Sequence, residues 1–171
     1  MHTDIKNSLD AIYLEPISNK HLEATFQWIS DPEFRKGFMM RGDINWKNHV
    51  EYFDNLQKDS TQQAFAILSG ERHLGNCGLK FINFYQRNAE LWIYVGSKKA
   101  RGIGLGANAL NKLLEIAKKD LGLEEVCVHV AENNKLAINL YKSSGFIEKG
   151  DCSEEWKGRN IKMLRMLWKS K

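Results

Sequence analysis

The sequence predicts a single mixed α/β domain, of the α+β kind, whose sheet changes from antiparallel to parallel strands. Short apolar runs joined by tight turns fill the middle of the chain, and strands alternate with helical runs after them. A glycine-rich stretch at residues 98–107 joins the two parts. With 171 residues and 43% hydrophobic residues, the chain is long enough to bury one core.

The N-terminal part is predicted to hold one strand and two helices. The strand covers residues 12–17, and a helix capped by Ser18 or Asn19 follows and stops at Asp31-Pro32. No helix is predicted directly after Pro32. The second helix begins near Asp43 or Asn45, and its apolar stripe consists of Trp46, Val50, Phe53 and Leu56.

The sheet is predicted from six further apolar runs. Residues 64–68, 74–82 and 89–95 form consecutive antiparallel strands, because short turns join them. A helix over residues 106–119 leads to a strand at 126–130, whose nearly continuous apolar character indicates a strand covered on both faces. A short helix at 136–143 and two final strands, beginning near residues 146 and 161, complete the chain.

The glycine-rich stretch has the features of an anion site. Glycines at 102, 104 and 106 let the backbone approach a ligand closely and adopt angles that a side chain forbids. The helix that follows offers unpaired N–H groups and the positive end of its dipole. Lys98, Lys99 and Arg101 precede it. We therefore expect a pyrophosphate to bind at this helix start.

The same residues also satisfy G-x-G-x-x-A, the dinucleotide-binding fingerprint. That fingerprint requires the first glycine directly after a strand of a βαβ series, whereas residues 96–101 intervene here and hairpins precede. The remaining chain, about 65 residues, is too short for two βαβαβ halves. The dinucleotide-binding fold is therefore disfavoured, and a glycine-rich turn without a ligand is the other alternative.

Composition excludes several function classes. A formal net charge of +4 is too small to indicate nucleic-acid binding. Three widely spaced cysteines, at positions 77, 127 and 152, and no histidine-ligand motif predict neither a metal site nor a disulfide. No apolar run is long enough to cross a membrane, and the first residues lack the apolar core of a signal peptide, so we expect a cytoplasmic protein.

Two motifs resemble those of the GNAT N-acetyltransferase superfamily. Arg101-x-x-Gly104-x-Gly106 after a strand resembles its acetyl-CoA signature, and the later motif is matched from Asn134 through Tyr141 to Gly145-Phe146. The resemblance covers nearly the whole chain. It implies a single domain over residues 1–171, in which helices flank a mixed sheet whose central parallel strands splay apart. It also implies acetyl-CoA as the cosubstrate.

Within the superfamily, the N-terminal half is similar to the branch of ribosomal-protein, polyamine and nucleotide-linked amino-sugar acetyltransferases. Trp28-x-x-Asp31-Pro32 and the helix at residues 46–56 carry this similarity. Phe38-Met39 together with His49 favours the amino-sugar enzymes, such as those of the pseudaminic acid pathway.

The resemblance also implies how the cofactor binds. The sheet should open after the strand at residues 91–95 and receive the pantetheine arm, which pairs with backbone groups of Ile93, Tyr94 and Val95. Lys98 and Lys99 are expected near the 3′-phosphate, and Asn134 should cap its helix and contact the cofactor. The pyrophosphate would lie on the backbone of seven residues: Arg101, Gly102, Ile103, Gly104, Leu105, Gly106 and Ala107.

Two side chains are expected to move protons. By the motif match, Tyr141 protonates the leaving thiolate, and the Val95 N–H stabilises the thioester oxygen. Strand alternation puts Glu90 on one face with Trp92 and Tyr94, where we expect aromatic neighbours to make its carboxylate a better base. Glu90 would act directly or through a water, and His49 and Glu51 are the other candidate bases.

The acceptor is expected to be a small-molecule amine. Phe38, Met39, Arg41, Trp46 and His49 are the predicted acceptor-site residues. Residues 34–49 carry four basic side chains against one acidic one once the helix stop is passed, which favours an anionic nucleotide-linked amino sugar. The alternatives are a polyamine, a protein N-terminus, or a non-catalytic acyl-CoA sensor. A homodimer is also expected, formed through an exposed final strand.

Overall fold

Seven strands form one mixed sheet in a computed structural model that describes residues 12–38, 40, 42 and 44–171. The strand order across the sheet is β1-β2-β3-β4-β5-β7-β6. The strands are β1 Ile12–Pro16, β2 Gln63–Ser69, β3 Arg72–Asn83, β4 Asn88–Val95, β5 Glu125–Ala131, β6 Ile147–Trp156 and β7 Arg159–Lys169.

Among the described residues, five α-helices connect and cover the strands. They are α1 Leu22–Ser30, α2 Pro32–Phe38, α3 Trp46–Lys58, α4 Leu105–Glu115 and α5 Lys135–Ser143. A 3-10 turn, Asn19–His21, precedes α1, and a π-helical turn, Ile116–Asp120, prolongs α4. Among the described residues, no helix has the length and apolar character needed to cross a membrane.

The change from antiparallel to parallel pairing is confirmed. β1 to β4 pair antiparallel in sequence order, whereas β4 and β5, which α4 connects, are parallel. The parallel pairs end at Glu90 and Cys127, although both strands continue. The sheet therefore forks at Leu91, inside β4, and not after Val95 as the sequence-based interpretation expected.

The two faces of the sheet are covered by different helices. The larger core joins Leu91 and Val126 of the sheet to Leu110 of α4 and to Ile138 and Tyr141 of α5. On the opposite face, Leu22 of α1 and Phe53 and Leu56 of α3 pack with Ile17 and Ala64. Because neighbouring strand residues point to opposite faces, β4 contributes Leu91 to the first face and Trp92 to the second.

Three local predictions were wrong. Pro32 starts helix α2 instead of only ending α1. The first N–H groups of a helix are unpaired in any case, so proline is tolerated in the first turn. The Asp31 carboxylate accepts the Glu33 N–H at 3.0 Å and helps to begin this helix. Strand β5 alternates between buried and half-buried residues, so it is not covered equally on both faces. The final strand β7 lies between β5 and β6, so it is not an exposed edge that could support a dimer.

Candidate active site

The fork between β4 and β5 leaves one edge of β4 open. Ile93, Tyr94 and Val95 pair with β3 on one side, opposite Cys77, Asn76 and Gly75. On the other side, no described strand pairs with them, because the β5 partners stop at Cys127. The open edge exposes backbone donors and acceptors that an extended ligand can pair with, as in strand addition.

The loop after β4 brings two glycines to the start of α4. Gly102 and Gly104 have φ angles of +73° and +85°, in the left-handed region that favours glycine. A Cβ at either position would meet nothing within 4 Å, so the space beside the backbone is open. The Arg101 side chain donates from Nε to the Val95 carbonyl oxygen at 3.1 Å, which ties the loop to the end of β4.

Helix α4 begins without a side-chain cap. Its N-cap is Gly104, which has no side chain, and no acidic residue lies in its first turn. Leu105 is buried and anchors the helix start in the core, while Gly106 and Ala107 are half-buried. The first N–H groups of α4 are therefore not satisfied by a side chain, which is the arrangement that binds anions at helix starts.

The two lysines before the loop have different surroundings. Lys98 Nζ lies 3.2 Å from the Asp31 carboxylate, so this lysine already has an acidic partner. Lys99 is exposed. The expectation that both contact a 3′-phosphate stays a prediction, and Lys98 would have to leave Asp31 to fulfil it.

Helix α5 positions the two later motif residues. Asn134 caps this helix, since its side-chain oxygen accepts the Ala137 N–H at 3.2 Å. Tyr141 is buried, and its ring lies 5.5 Å from that of Phe146. Burial raises the pKa of Tyr141 to about 12, so its hydroxyl keeps its proton at neutral pH. Within the described part of the chain, this hydroxyl has no hydrogen-bond partner.

Glu90 lies on the opposite face of the sheet, at the fork. Its side chain is 18% exposed, and its Oε1 atom is 3.1 Å from Lys80 Nζ and 3.3 Å from His129 Nδ1. The immediate polar neighbours of the carboxylate are a lysine and a histidine from the two adjacent strands, which the sequence-based interpretation did not name. Trp92 and Tyr94 do share its face, but they stack on each other at 5.8 Å.

Glu90, Cys127 and His129 bring three metal-ligand atoms within 4.8 Å of one another. The Lys80 ammonium already balances the carboxylate, and burial raises the pKa of the Cys127 thiol, which disfavours the thiolate that binds metals. The residues present therefore fit a metal ion poorly. That the protein uses no metal stays a prediction.

A cavity of about 490 Å³ lies on the Glu90 face, between the sheet, α1 and α3. This volume is within the range of small-molecule sites. The wall combines aliphatic side chains with five aromatic and four amide side chains: Phe38, Tyr52, Phe53, Trp92 and Tyr94, with Asn45, Asn48, Gln62 and Asn76. Lys80 and His49 are also in the wall, and no described aspartate or glutamate is.

The predicted acceptor residues separate into three groups. Phe38 and His49 line this cavity. Trp46 does not; it is 48% exposed and packs edge-on against Phe26. Met39 and Arg41 lie outside the described residues.

The two alternative bases are poorly suited to the role. His49 is buried and donates from Nε2 to the Leu22 carbonyl oxygen at 2.9 Å, and burial lowers its pKa. Glu51 is exposed, with Lys47 Nζ at 3.9 Å as its partner one helical turn away. Neither side chain lies at the fork. The fork instead has His129, a residue that the sequence interpretation did not consider.

A buried polar network forms the floor of the cavity. Asn76 is fully buried in β3, and its amide nitrogen donates to the Tyr94 hydroxyl at 2.7 Å and to Thr25 Oγ1 at 2.9 Å. Its oxygen accepts from His73 Nε2 at 2.6 Å. Burial raises the pKa of Tyr94, so this phenol is a neutral hydrogen-bonding group in the cavity.

Strand alternation could have located several residues that the sequence interpretation missed. Trp92 was already placed on the Glu90 face. Extending the same period to the neighbouring strands puts Asn76 and Lys80 on that face of β3, and Cys127 and His129 on that face of β5. The register that aligns these strands was not available from the sequence, so no distance between them could be predicted.

A family model for the acetyltransferase (GNAT) domain matches residues 11–147. Acetyltransferase PseH from Campylobacter jejuni is 23% identical over 130 residues, 76% of this chain and 79% of that protein. Spermidine N(1)-acetyltransferase from Vibrio cholerae is 30% identical over 126 residues, 68% of this chain and 72% of that protein.

The fold is also that of a solved acetyltransferase. The crystal structure of the Vibrio cholerae spermidine N-acetyltransferase, in complex with CoA and spermine, superimposes with a TM-score of 0.87 and 22% identity, covering 94% of this chain and 96% of that one. The family match spans most of the chain, including the fork and the start of α4. The chain therefore belongs to the GNAT family and is an acetyl-CoA-dependent acetyltransferase.

Proposed function

We propose that this enzyme transfers the acetyl group of acetyl-CoA to the primary amine of a nucleotide-linked amino sugar. The observation that carries the acceptor class is the composition of the cavity wall. Aromatic rings can stack on a base or a sugar, amides can bind hydroxyls, and Lys80 can meet a phosphate. A polyamine carries several ammonium groups that need carboxylates, and the described wall contains none.

The cofactor is proposed to occupy the fork. Its diphosphate would lie on the backbone N–H groups of residues 101–107, where the left-handed glycines leave open space beside the chain. Its pantetheine arm would extend along the open edge of β4 at residues 93–95. The Asn134 amide nitrogen remains available to the cofactor, because capping uses only the side-chain oxygen.

The chemistry is proposed to proceed by direct attack of the amine. An alkylammonium group, with a pKa near 10, must first lose a proton. The amine then attacks the thioester carbon while the Val95 N–H stabilises the oxygen. Tyr141 gives its proton to the departing thiolate, since its phenol carries a proton at neutral pH.

Glu90 is proposed to take part in removing the first proton. It lies at the fork on the face of the acceptor cavity, and Lys80 belongs both to the cavity wall and to the surroundings of this carboxylate. The Lys80 ammonium, 3.1 Å away, already pairs with this carboxylate, and the same side chain lines the cavity. A role through a neighbouring group therefore fits its surroundings better than direct proton uptake.

A polyamine is the second candidate acceptor. The relative from Vibrio cholerae at 30% identity is a spermidine acetyltransferase, which favours this candidate. PseH, at 23% identity over a larger share of the chain, is the relative on the amino-sugar side. A protein N-terminus as acceptor, and a non-catalytic acyl-CoA sensor, are the remaining alternatives.

A panel of amines separates these candidates. Thiol release from acetyl-CoA would be measured with a UDP-4-amino-4,6-dideoxy sugar, spermidine and a peptide with a free N-terminus, and mass spectrometry would identify the product. We expect the nucleotide sugar to gain one acetyl group with the highest kcat/KM. Acetylation of spermidine alone would overturn the acceptor proposal, and CoA binding without turnover of any amine would favour the sensor.

Substituting Lys80 with methionine provides a second test of the acceptor. If Lys80 meets a phosphate, the variant should raise KM for the nucleotide sugar about tenfold or more and leave KM for a free amino sugar unchanged. Equal changes for both acceptors would contradict a phosphate contact at this side chain.

A further inference from the structure

We propose that His129 is the group that accepts the proton of the acceptor amine, and that Glu90 positions its ring. This inference rests on the proposed acetyl transfer to an amine and adds the residue that removes the proton. Nothing in the sequence motifs points to His129, because it lies in strand β5, outside both of them. Its position at the fork makes it a candidate.

His129 is the first side chain of β5 on the cavity side of the sheet after the parallel strands separate. Glu90 and Cys127 form the last parallel pair, and the next residue of β5 on the same face is His129. Its side chain is 25% exposed, so the ring reaches solvent. An amine that approaches a thioester held in the fork from the cavity face would pass this edge of β5.

The contact with Glu90 defines which ring nitrogen is free. His129 Nδ1 lies 3.3 Å from Glu90 Oε1, and a carboxylate beside this atom favours the tautomer that carries hydrogen on Nδ1. The lone pair is then on Nε2. No described residue has a hydrogen bond or ion pair with that atom, so Nε2 can accept a proton. Contacts of this kind are often long in unliganded enzymes and shorten when the substrate binds.

Four described side chains that are charged or titratable lie around the ring. Glu90 faces it from β4, Arg165 lies opposite it on β7, Cys127 precedes it on its own strand, and Lys80 reaches the same carboxylate from β3. Glu90 Oε1 is already contacted by both Lys80 and His129, whereas no described residue has a hydrogen bond or ion pair with His129 Nε2. The carboxylate instead balances the positive charge that appears on the imidazole when it takes a proton.

The reaction then balances as follows. The ammonium transfers one proton to His129 Nε2, and the nitrogen lone pair forms a C–N bond to the thioester carbon. The C–S bond breaks with its electron pair on sulfur, and Tyr141 supplies the proton that makes the thiol. The new amide nitrogen loses its second proton to solvent, the phenolate of Tyr141 regains a proton from solvent, and His129 releases its own. Each turnover of an ammonium substrate thus yields one amide, one thiol and one free proton.

The first test is independent of turnover. Nitrogen NMR of the protein labelled at histidine reports which ring nitrogen of His129 carries hydrogen. We expect the Nδ1–H tautomer in the wild type, and loss of this preference in Glu90→Gln. An Nε2–H tautomer in the wild type would contradict the pairing with Glu90.

The second test compares pH–rate profiles, with the UDP-4-amino-4,6-dideoxy sugar or, if that is not acetylated, with spermidine. We expect His129→Gln to lower kcat by about 10²-fold near neutral pH without changing KM for acetyl-CoA. Its rate should keep rising towards about pH 10, because only the spontaneously neutral amine reacts. The wild-type rate should level off at lower pH. Glu90→Gln should lose less, about tenfold, because the histidine remains.

The control is Cys127→Ala, which removes a neighbouring side chain from the same face of β5 and should keep the wild-type pH profile. If His129→Gln retains at least a third of the wild-type kcat and the same profile, His129 is not the proton acceptor. A wild-type protein that acetylates none of the amines would instead contradict the proposed function, and the NMR tautomer would still test the His129–Glu90 pair by itself.

Discussion

Replacing Tyr141 with phenylalanine separates chemistry from stability. The ring is buried in the core beside Phe146, and its hydroxyl has no hydrogen-bond partner among the described residues. Phenylalanine keeps the ring and its packing, so the free energy of unfolding should change by less than about 0.5 kcal/mol. The thiolate, however, would lose its proton donor. We expect kcat to fall by about 10²-fold or more.

Two assays on the same preparation test this prediction. Urea unfolding gives the free energy of unfolding, and thiol release with the best amine of the panel gives kcat. A kcat within threefold of the wild-type value would refute the acid role of Tyr141. A loss of several kcal/mol of stability would instead show that the hydroxyl is part of the core's bonding.

Tyr94→Phe is the matched control, because the same substitution should lower stability there. The Tyr94 hydroxyl accepts a hydrogen bond from the Asn76 amide at 2.7 Å, and Asn76 is fully buried. Removing the hydroxyl leaves a buried donor with one partner fewer, which costs about 1–3 kcal/mol. Equal stability of the two variants would contradict the bonding described for these two phenols.

Two further predictions concern the glycine loop and acid sensitivity. Gly104→Ala should raise KM for acetyl-CoA about tenfold, because alanine at φ +85° strains the loop by about 1 kcal/mol and displaces its amides. The control is Gly122→Ala, at φ +63° outside the site. Urea unfolding should show comparable strain in this variant, and its KM for acetyl-CoA should not change. Burial lowers the pKa of His21, His49 and His73 below the ordinary 6.5, so the unfolded chain takes up protons first as the pH falls. The free energy of unfolding should therefore be full above about pH 6.5 and decrease below it, by up to about 1.4 kcal/mol per histidine for each pH unit. Urea unfolding at a series of pH values measures this decrease. A constant free energy of unfolding down to about pH 5 would contradict the burial of these rings as neutral groups.

The order of the elements could be predicted from the sequence because local signals define it. Glycines, Pro32 and alternating apolar residues mark the turns and strands, and the helix between β4 and β5 dictates their parallel pairing. Helix α2 was missed because Pro32 was interpreted only as a stop, although proline is also favoured in a first helical turn. The position of the fork depends on tertiary pairing and could not be predicted.

The cofactor part of the site was more accessible to sequence reasoning than the acceptor part. Residues 101–107 are contiguous, and their glycines and helix start are visible in the sequence itself. The acceptor cavity combines side chains from α1, α3, β3 and β4, which only the folded sheet brings together. The same is true of Glu90: its own strand was predicted correctly, but its neighbours Lys80 and His129 come from two other strands.

A crystal structure with coenzyme A tests the central claim most directly. We predict that the diphosphate oxygens lie within hydrogen-bond distance of the backbone N–H groups of residues 101–107, with the pantetheine between β4 and β5 beyond Glu90 and Cys127. A diphosphate bound elsewhere, with nothing between the separated strands, would contradict the account.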